Sequence, residues 1–218
     1  MTARQLPPFA LHRFLWDPLA PWRFARWRIE VTELKRAWWA QDTIGPAVPH
    51  GASLLDVGSW DGRTALMFAQ SRGAEVTCVD VVDHNKTDLP FRTFDGQHLP
   101  CDDGSFDAIT FLYVLHHSAH ADDLLREAAR VCRPGGRVLV AEDLVETPIQ
   151  RFVTIAFHLW LLAWTWMGWR GSFLRIDAWR RRFAEAGLRV VDVQPLPRFE
   201  GKRHWPRNVL FVLEPAVD

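Results

Sequence analysis

The sequence predicts one doubly wound α/β domain built on a mostly parallel sheet. From residue 53 onward, short apolar runs alternate with amphipathic segments of roughly ten to fifteen residues, which is the pattern of βαβ units. The first apolar run ends in a turn that contains glycine, as strands that lead into a ligand site often do. The chain has 218 residues, of which 48% are hydrophobic and 24% charged, and this is enough for one domain with a substantial core.

The predicted elements follow in order along the chain. The first three are a strand, a helix that Gly73 ends and a second strand: SLLDVG, GRTALMFAQSRG and AEVTCVDV. After a turn-rich stretch come a strand, a helix ended by Pro134 and two glycines, and a further strand: SFDAITFLYVL, DDLLREAARVCRPGG and RVLVAED. The helix DAWRRRFAEAGL then precedes LRVVDVQPL and RNVLFVLEP, which predict a terminal antiparallel strand pair.

The two ends of the chain differ in composition from its middle. Residues 1–50 hold five Trp among Arg and Pro, and we expect them to form an N-terminal helical cap with a helix near 30–42. Residues 51–218 are expected to form the main domain. Basic residues outnumber acidic ones by seven to four in 1–50 and by eleven to six in 151–218, whereas 51–150 has eight basic and sixteen acidic residues. The basic ends favour an anionic substrate or a membrane surface over nucleic acid, which needs a more positive total charge.

The cysteines and the first residues of the chain indicate the cellular compartment in which the protein works. The three cysteines show no metal-ligand spacing and form no even set, so neither a disulfide framework nor a zinc site is predicted. The first residues lack the uninterrupted apolar stretch of a signal peptide. A cytoplasmic protein, with possible association with a membrane surface, is therefore expected.

The turn after the first strand indicates which ligand the domain binds. Gly58 lets the backbone approach a ligand closely, and Asp80 follows about twenty residues later, where an acid can accept ribose hydroxyls. A dinucleotide site needs a further glycine where Trp60 stands, and Asp61 would repel a pyrophosphate. A phosphate-free adenosyl sulfonium tolerates that carboxylate, so the turn favours S-adenosylmethionine over NAD.

An ordered set of motifs resembles a known family. The set comprises DVGSWDG at 56–62, Asp80, FDGQHLP at 94–100, DGSFD at 103–107, LHH at 115–117 and RPGG at 133–136. Together these resemble the ubiquinone/menaquinone-type class I S-adenosylmethionine-dependent methyltransferases over residues 53–143. The resemblance implies a Rossmann-like methyltransferase fold with a seven-stranded sheet, and S-adenosylmethionine as the cofactor. Trp60 stands where the family has its second glycine, and Cys101 stands where it often has phenylalanine.

The resemblance also assigns residues to the cofactor by position. Asp56 and Gly58 would lie against its methionine and ribose part, and Asp80 would accept the ribose hydroxyls. Asp95 with the Gly96 backbone would bind the adenine amino edge. The complete predicted cofactor set is Asp56, Gly58, Ser59, Gly62, Asp80, Val81, Asp95 and Gly96, with Leu112 or Tyr113 flanking the methionine part.

His116 and His117 are the candidate catalytic residues. Methyl transfer from a sulfonium needs alignment more than proton transfer, and a base is required only when the acceptor is protonated. In the resembled family this His pair accompanies many substrates, which favours a structural role. Both roles remain open from the sequence. No metal site is predicted.

The stretch from 152 to 169 contains no charged residue and is bounded by Arg151 and Arg170. Its length is at the threshold for a membrane span, but crossing a bilayer would separate the last strands from their sheet. Three roles remain: an apolar lid over the acceptor, a homodimer face, or shallow membrane docking. A lid within an insertion at 150–170 would place Phe157, His158, Leu161 and Trp164 over the substrate.

The function expected from these observations is methyl transfer from S-adenosylmethionine to an O, N or C nucleophile of a small, apolar acceptor. One alternative is a phospholipid N-methyltransferase that acts at the membrane surface. The other is a methyltransferase-like binding or assembly module without turnover.

Overall fold

A computed structural model describes residue 4 and residues 20–165, 173–197 and 207–216; the side chains of 20–25 and 157–165 lie outside this description. The helices are α1 (Ala20–Thr43), α2 (Arg63–Arg72), α3 (Ala121–Val131), α4 (Pro148–Thr165) and α5 (Ile176–Glu185). The strands are β1 (Ser53–Val57), β2 (Glu75–Asp80), β3 (Phe91–Thr93), β4 (Phe106–Leu112), β5 (Cys132–Leu144), β6 (Leu188–Pro195) and β7 (Arg207–Pro215). Short 3-10 turns occur at Gly45–Ala47 and Leu115–His117.

The seven strands form one sheet in the order β3-β2-β1-β4-β5-β7-β6. The first five strands pair in parallel, and β7 pairs antiparallel with both β5 and β6. The predicted fold class, a mostly parallel seven-stranded sheet with a terminal antiparallel pair, is therefore confirmed. The strand order reverses direction between β1 and β4, so a crevice opens there at the carboxyl ends of the strands.

The sheet has an apolar core on each face. One core lies under α3 and α5, where the Trp179 ring stacks on Phe183 at 5.6 Å and Phe183 meets Phe211 edge-on at 5.0 Å. The other lies under α1 and α2, around the fully buried Ile44 and Phe68. Full burial of each such side chain contributes about 1.5–3 kcal/mol, and the two layers hold the strand ends in place.

Four local features differ from the sequence predictions or extend them. The helix predicted near 30–42 is present within α1, which runs from Ala20 to Thr43. The short strand β3 lies in the stretch predicted as turns. The helix α3 ends at Val131, earlier than predicted, because Cys132 already pairs with Phe106 of β4 and starts β5. The apolar stretch from residue 152 begins inside α4.

The lengths and hydropathies of the helices bear on the membrane question. Among the residues that the structure describes, no helix combines the length and the hydropathy needed to cross a bilayer.

Candidate active site

The functional side chains gather at one edge of the sheet. The carboxyl ends of β1, β2, β4 and β5 meet there, because these strands are parallel neighbours. The turn from 58 to 62 follows β1, and the 3-10 turn at Leu115–His117 follows β4. Half of the predicted site residues lie on these two turns and on the segments that follow β2 and β3: Gly58, Ser59, Gly62, Val81, Asp95, Gly96, His116 and His117. Asp56, Asp80 and Leu112 lie in the strands themselves, and Tyr113 directly follows β4.

Gly58 brings three parts of this edge together. Its backbone has a φ of +73°, and its N–H donates to the Val79 carbonyl of β2 at 2.8 Å. A Cβ at this position would lie 2.5 and 2.8 Å from the two methyl carbons of Val114, which follows β4. Only glycine fits both the left-handed backbone and this approach, so the turn holds its backbone close to the strand ends.

Asp80 is held at the end of β2 by two backbone groups. The Trp60 N–H donates to its Oδ2 at 2.9 Å, and the Val81 N–H donates to its Oδ1 at 2.7 Å. A carboxylate oxygen can accept two hydrogen bonds and each of these oxygens accepts one, so both oxygens keep acceptor capacity for ligand hydroxyls. The Trp60 indole lies 4.3 Å from the His84 ring, between ring centroids, and is 42% exposed.

Asp56 lies deeper in the edge, on β1. Its Oδ1 accepts a hydrogen bond from the Thr110 hydroxyl of β4 at 2.6 Å, and only 2% of the residue is exposed. Burial, helped by the charge of Asp80, raises the pKa of Asp56 to about 7, against the opposing hydrogen bond from Thr110. A cation bound nearby would favour the ionised form of this carboxyl.

The end of the first turn is also tightly packed. Ser59 and Asp61 are buried, and the Asp61 Oδ1 accepts from the Arg63 N–H at 3.2 Å. Gly62 is the N-cap of α2 and has a φ of +75°. A Cβ on Gly62 would lie 2.6 Å from Asn85 Oδ1, so this glycine is required by the segment that follows β2.

Asp95 lies at the rim of the site, after β3. Its Oδ1 accepts from the backbone N–H groups of Gln97 and His98 at 2.8 and 2.7 Å, and its Oδ2 lies 2.7 Å from His98 Nδ1. These hydrogen bonds hold the pKa of Asp95 well below its usual range, with that from the His98 side chain the strongest. A Cβ on Gly96 would lie 3.3 Å from Val81 Cγ1, so this segment lies directly beside the end of β2.

Leu112 and Tyr113 end β4 beside the first turn. Tyr113 has a φ of +61°, and its N–H donates to the Ala141 carbonyl at 2.8 Å. Its ring lies 6.2 Å from that of Trp39 on α1, and burial raises the pKa of its hydroxyl well above 10.0. Tyr113 thus faces α1, and Leu112 is half-buried.

His116 forms a buried pair with a residue that the sequence analysis missed. Its Nδ1 lies 2.5 Å from Glu142 Oε2, and the Glu142 Oε1 accepts from the Leu115 N–H at 2.9 Å. His116 is 3% exposed and Glu142 is fully buried. Burial lowers the pKa of His116, but the charge and hydrogen bond of Glu142 outweigh it and raise that pKa above 6.5. Two adjacent acids that end an otherwise apolar strand, Glu142 and Asp143, were the available signal.

Three further residues surround the His116–Glu142 pair at the ends of β4 and β5. The His117 ring lies 4.2 Å from that of His116, and Phe173 stacks on His116 at 5.0 Å. Asp143 is buried, and burial raises its pKa to about 6. Within the described ranges, no three side chains of metal-ligating type converge on a common point.

The helix α4 leaves the sheet just after β5. Thr154 is buried, whereas Ile149, Phe152 and Val153 are exposed by 77%, 73% and 41%. The predicted lid residues Phe157, His158, Leu161 and Trp164 have their backbones in α4, but their side chains lie outside the described residues. Their role as a lid stays a prediction.

The crevice, the glycine turn and the acid at the end of β2 are the features of a cofactor-binding α/β enzyme. Residues 22–193 match the family model described as a methyltransferase domain. The chain therefore belongs to this methyltransferase domain family, and the resemblance to methyltransferases is confirmed.

Particular relatives give the degree of similarity. The methyltransferase GfsG of Streptomyces halstedii is 32% identical over 160 residues, covering 67% of this chain and 56% of that protein. The ubiquinone/menaquinone biosynthesis C-methyltransferase UbiE of Bordetella avium (strain 197N) is 35% identical over 118 residues, covering 48% of this chain and 46% of that protein. The chain spans about half the length of these curated relatives.

A solved structure shows the same fold. The geranyl diphosphate methyltransferase in complex with SAM superposes with a TM-score of 0.65 and 18% identity, over 94% of this chain and 95% of that chain.

Proposed function

We propose that the protein binds S-adenosylmethionine at the ends of β1 and β2 and methylates an O, N or C nucleophile of a small, apolar acceptor. One observation supports this most: the Gly58 turn holds bare backbone beside Asp80, while buried Asp56 and Asp61 stand where a pyrophosphate would need positive partners. Carboxylates suit the positive sulfonium and repel phosphate. When bound, this cofactor supplies an electrophilic methyl group.

The described residues divide the cofactor among them in this proposal. Asp80, fixed by Trp60 and Val81, accepts the two ribose hydroxyls. Asp95 and the Gly96 backbone take the adenine amino edge, with the exposed Val81 against the ring. The backbone near Gly58, beside Leu112, receives the methionine part. Each of these groups is already held by the fold, which lowers the entropy lost on binding.

His116 is better suited to a structural role than to proton abstraction. His116 is 3% exposed and its Nδ1 lies 2.5 Å from Glu142 Oε2, so this imidazole is poorly placed to take a proton from an acceptor. The His116–Glu142 pair instead fixes the turn after β4, because Glu142 also accepts a hydrogen bond from the Leu115 N–H. His117 remains the candidate base where the acceptor carries a proton. The main catalytic contribution is then alignment of acceptor and methyl.

Calorimetry tests the proposed cofactor. We expect S-adenosylmethionine and its demethylated product to bind in the micromolar range and NAD not to bind. Incubation with labelled S-adenosylmethionine and a cell extract should then yield a labelled, organic-soluble product. Binding of NAD alone would refute the proposal. Cofactor binding without any labelled product would support a binding module in place of an enzyme.

A lipid acceptor at a membrane surface is the second candidate, favoured by the exposed Ile149, Phe152 and Val153 on α4. Such residues would insert at the level of the lipid headgroups. In co-sedimentation with anionic liposomes, we expect the wild type to pellet and Phe152→Glu to stay in solution. The lipid candidate is wrong if neither protein pellets with the liposomes. If the wild type then sediments as a dimer and Phe152→Glu as a monomer, α4 is a dimer face.

A further inference from the structure

The helix α1 is joined to the cofactor turn by a carboxylate that contacts two cations. The Glu30 Oε2 pairs with the Arg63 guanidinium, and its Oε1 lies 2.7 Å from Lys86 Nζ. Arg63 is the first residue of α2, and Lys86 belongs to the segment between β2 and β3. Glu30 therefore connects three parts of the chain that are far apart in sequence.

Arg63 and Lys86 also contact Asp61, which lies within the turn. Arg63 does so through its backbone N–H and its guanidinium, and Lys86 through its backbone N–H. The Arg63 N–H donates to Asp61 Oδ1 at 3.2 Å, and Arg63 Nη1 lies 3.4 Å from Asp61 Oδ2. The Lys86 N–H donates to the Asp61 carbonyl at 3.1 Å. The four residues Glu30, Arg63, Asp61 and Lys86 thus form a closed ring of contacts, which we call the Glu30 ring.

The turn depends on the Glu30 ring because Asp61 is buried. Asp61 is 5% exposed, and its Oδ2 accepts no hydrogen bond from a described residue, so the Arg63 charge is what compensates it. The Lys86 and Arg63 side chains lower the pKa of Glu30, so Glu30 is ionised at neutral pH. Without Glu30, the Arg63 guanidinium and the segment around Lys86 lose the anion that holds them on either side of the turn.

The ring flanks the backbone group that fixes Asp80. Trp60 directly precedes Asp61, and its N–H donates to Asp80 Oδ2. A shift of Asp61 moves that N–H, because the two residues are adjacent in the chain.

We propose that Glu30 is a positioning residue for the cofactor, which acts through Arg63 and Lys86 to hold the turn from 58 to 62 in its binding geometry. This inference rests on the proposed function, because it takes S-adenosylmethionine as the ligand of the turn.

The test compares two carboxylates of similar exposure. Glu30 is 32% exposed in its ion pair with Arg63, and Glu214 is 26% exposed in its pair with Arg189, on the opposite edge of the sheet. Calorimetry with S-adenosylmethionine should show Glu30→Gln raising the Kd by about fivefold, the effect of losing two half-buried ion pairs. Glu214→Gln should leave the Kd within about twofold, although both variants lose similar thermal stability.

Salt separates positioning from general loss of structure. Raising NaCl screens the Glu30 pairs, so the Kd of the wild type and of Glu214→Gln should approach that of Glu30→Gln. Equal Kd values for Glu30→Gln and the wild type at low salt would overturn the inference. If Glu30→Gln does not fold, the Lys86→Gln variant provides the test. We expect a smaller rise in its Kd for S-adenosylmethionine, and an unchanged Kd would contradict the proposal. A wild type that fails to bind S-adenosylmethionine refutes the proposed function itself.

Discussion

The two halves of the active edge are built differently. In the first half, Asp80 at the end of β2 and Asp95 after β3 accept hydrogen bonds mainly from backbone N–H groups, and neither side chain is buried. At the ends of β4 and β5, His116 and Glu142 are buried and satisfy each other across 26 residues of sequence. The first half is prepared to exchange solvent for a ligand, whereas the second is a permanent part of the fold.

This difference separates the expected effects of mutations. Changes in the first half should alter ligand affinity with little loss of stability. Changes in the second half should lower stability first, because removing one member leaves the other buried without its partner.

The largest expected effect is that of Glu142→Gln. Breaking a buried ion pair from one side costs about 3–5 kcal/mol, so the free energy of unfolding in urea should fall by about that amount. The control is Asp103→Asn, which removes an exposed carboxylate 2.5 Å from Arg130 and should cost less than about 1 kcal/mol. Equal losses in the two variants would show that the buried His116–Glu142 pair contributes no more to stability than an exposed ion pair.

The next effect is a loss of affinity in Asp80→Asn. Two charge-assisted hydrogen bonds to ribose hydroxyls are weakened or lost, and the Kd for S-adenosylmethionine should rise about 100-fold. Asp95→Asn is the matched variant at the rim, with a rise of about tenfold expected because three hydrogen bonds already occupy that carboxylate. Urea unfolding should show little change in either. An Asp80→Asn variant that binds as tightly as the wild type would remove the first half from the cofactor site.

The contrast also explains what the sequence could predict. Gly58, Gly62 and Asp80 belong to short motifs whose backbone demands are local, and their geometry fits the predicted turn. The sheet was predictable because the alternation of strands and helices is regular. Assignment of each residue to a part of the cofactor stays a prediction.

What the sequence could not predict depends on contacts between distant residues. Glu142 was interpreted only as part of a strand, because its partner His116 becomes visible once β4 and β5 are neighbours. Glu30 contacts Arg63 and Lys86 across 33 and 56 residues. The early end of α3 has the same origin, since pairing of Cys132 with Phe106 competes with a further helical turn.

A pH effect sharpens the comparison through Asp56→Asn. Burial raises the pKa of Asp56 to about 7 from about 3.8, so the folded state binds a proton more tightly than the unfolded state. Stability from this group is full below about pH 4 and is lost as the pH rises toward 7. Asn is neutral and still accepts a hydrogen bond from Thr110, so the variant should match the wild type at pH 4 and exceed it by about 4 kcal/mol at pH 8.

Urea unfolding across this pH range measures the effect. Asp143, whose pKa is raised to about 6, gives the wild type a second contribution of the same sign, so some pH dependence should survive in Asp56→Asn. Parallel curves for variant and wild type would mean that Asp56 is ionised and solvated, like the exposed acids of the rim.

The smallest effect is expected for Trp60→Gly. Glycine relieves the strain of a φ of +51°, worth about 1 kcal/mol, but it loses the contact with His84 and gains freedom in the unfolded chain. Thermal unfolding should therefore change by less than about 1 kcal/mol. The backbone N–H to Asp80 remains, so the Kd for S-adenosylmethionine should stay within about threefold of the wild type. A large gain in affinity would mean that the indole competes with the cofactor, because removing it would then open the turn.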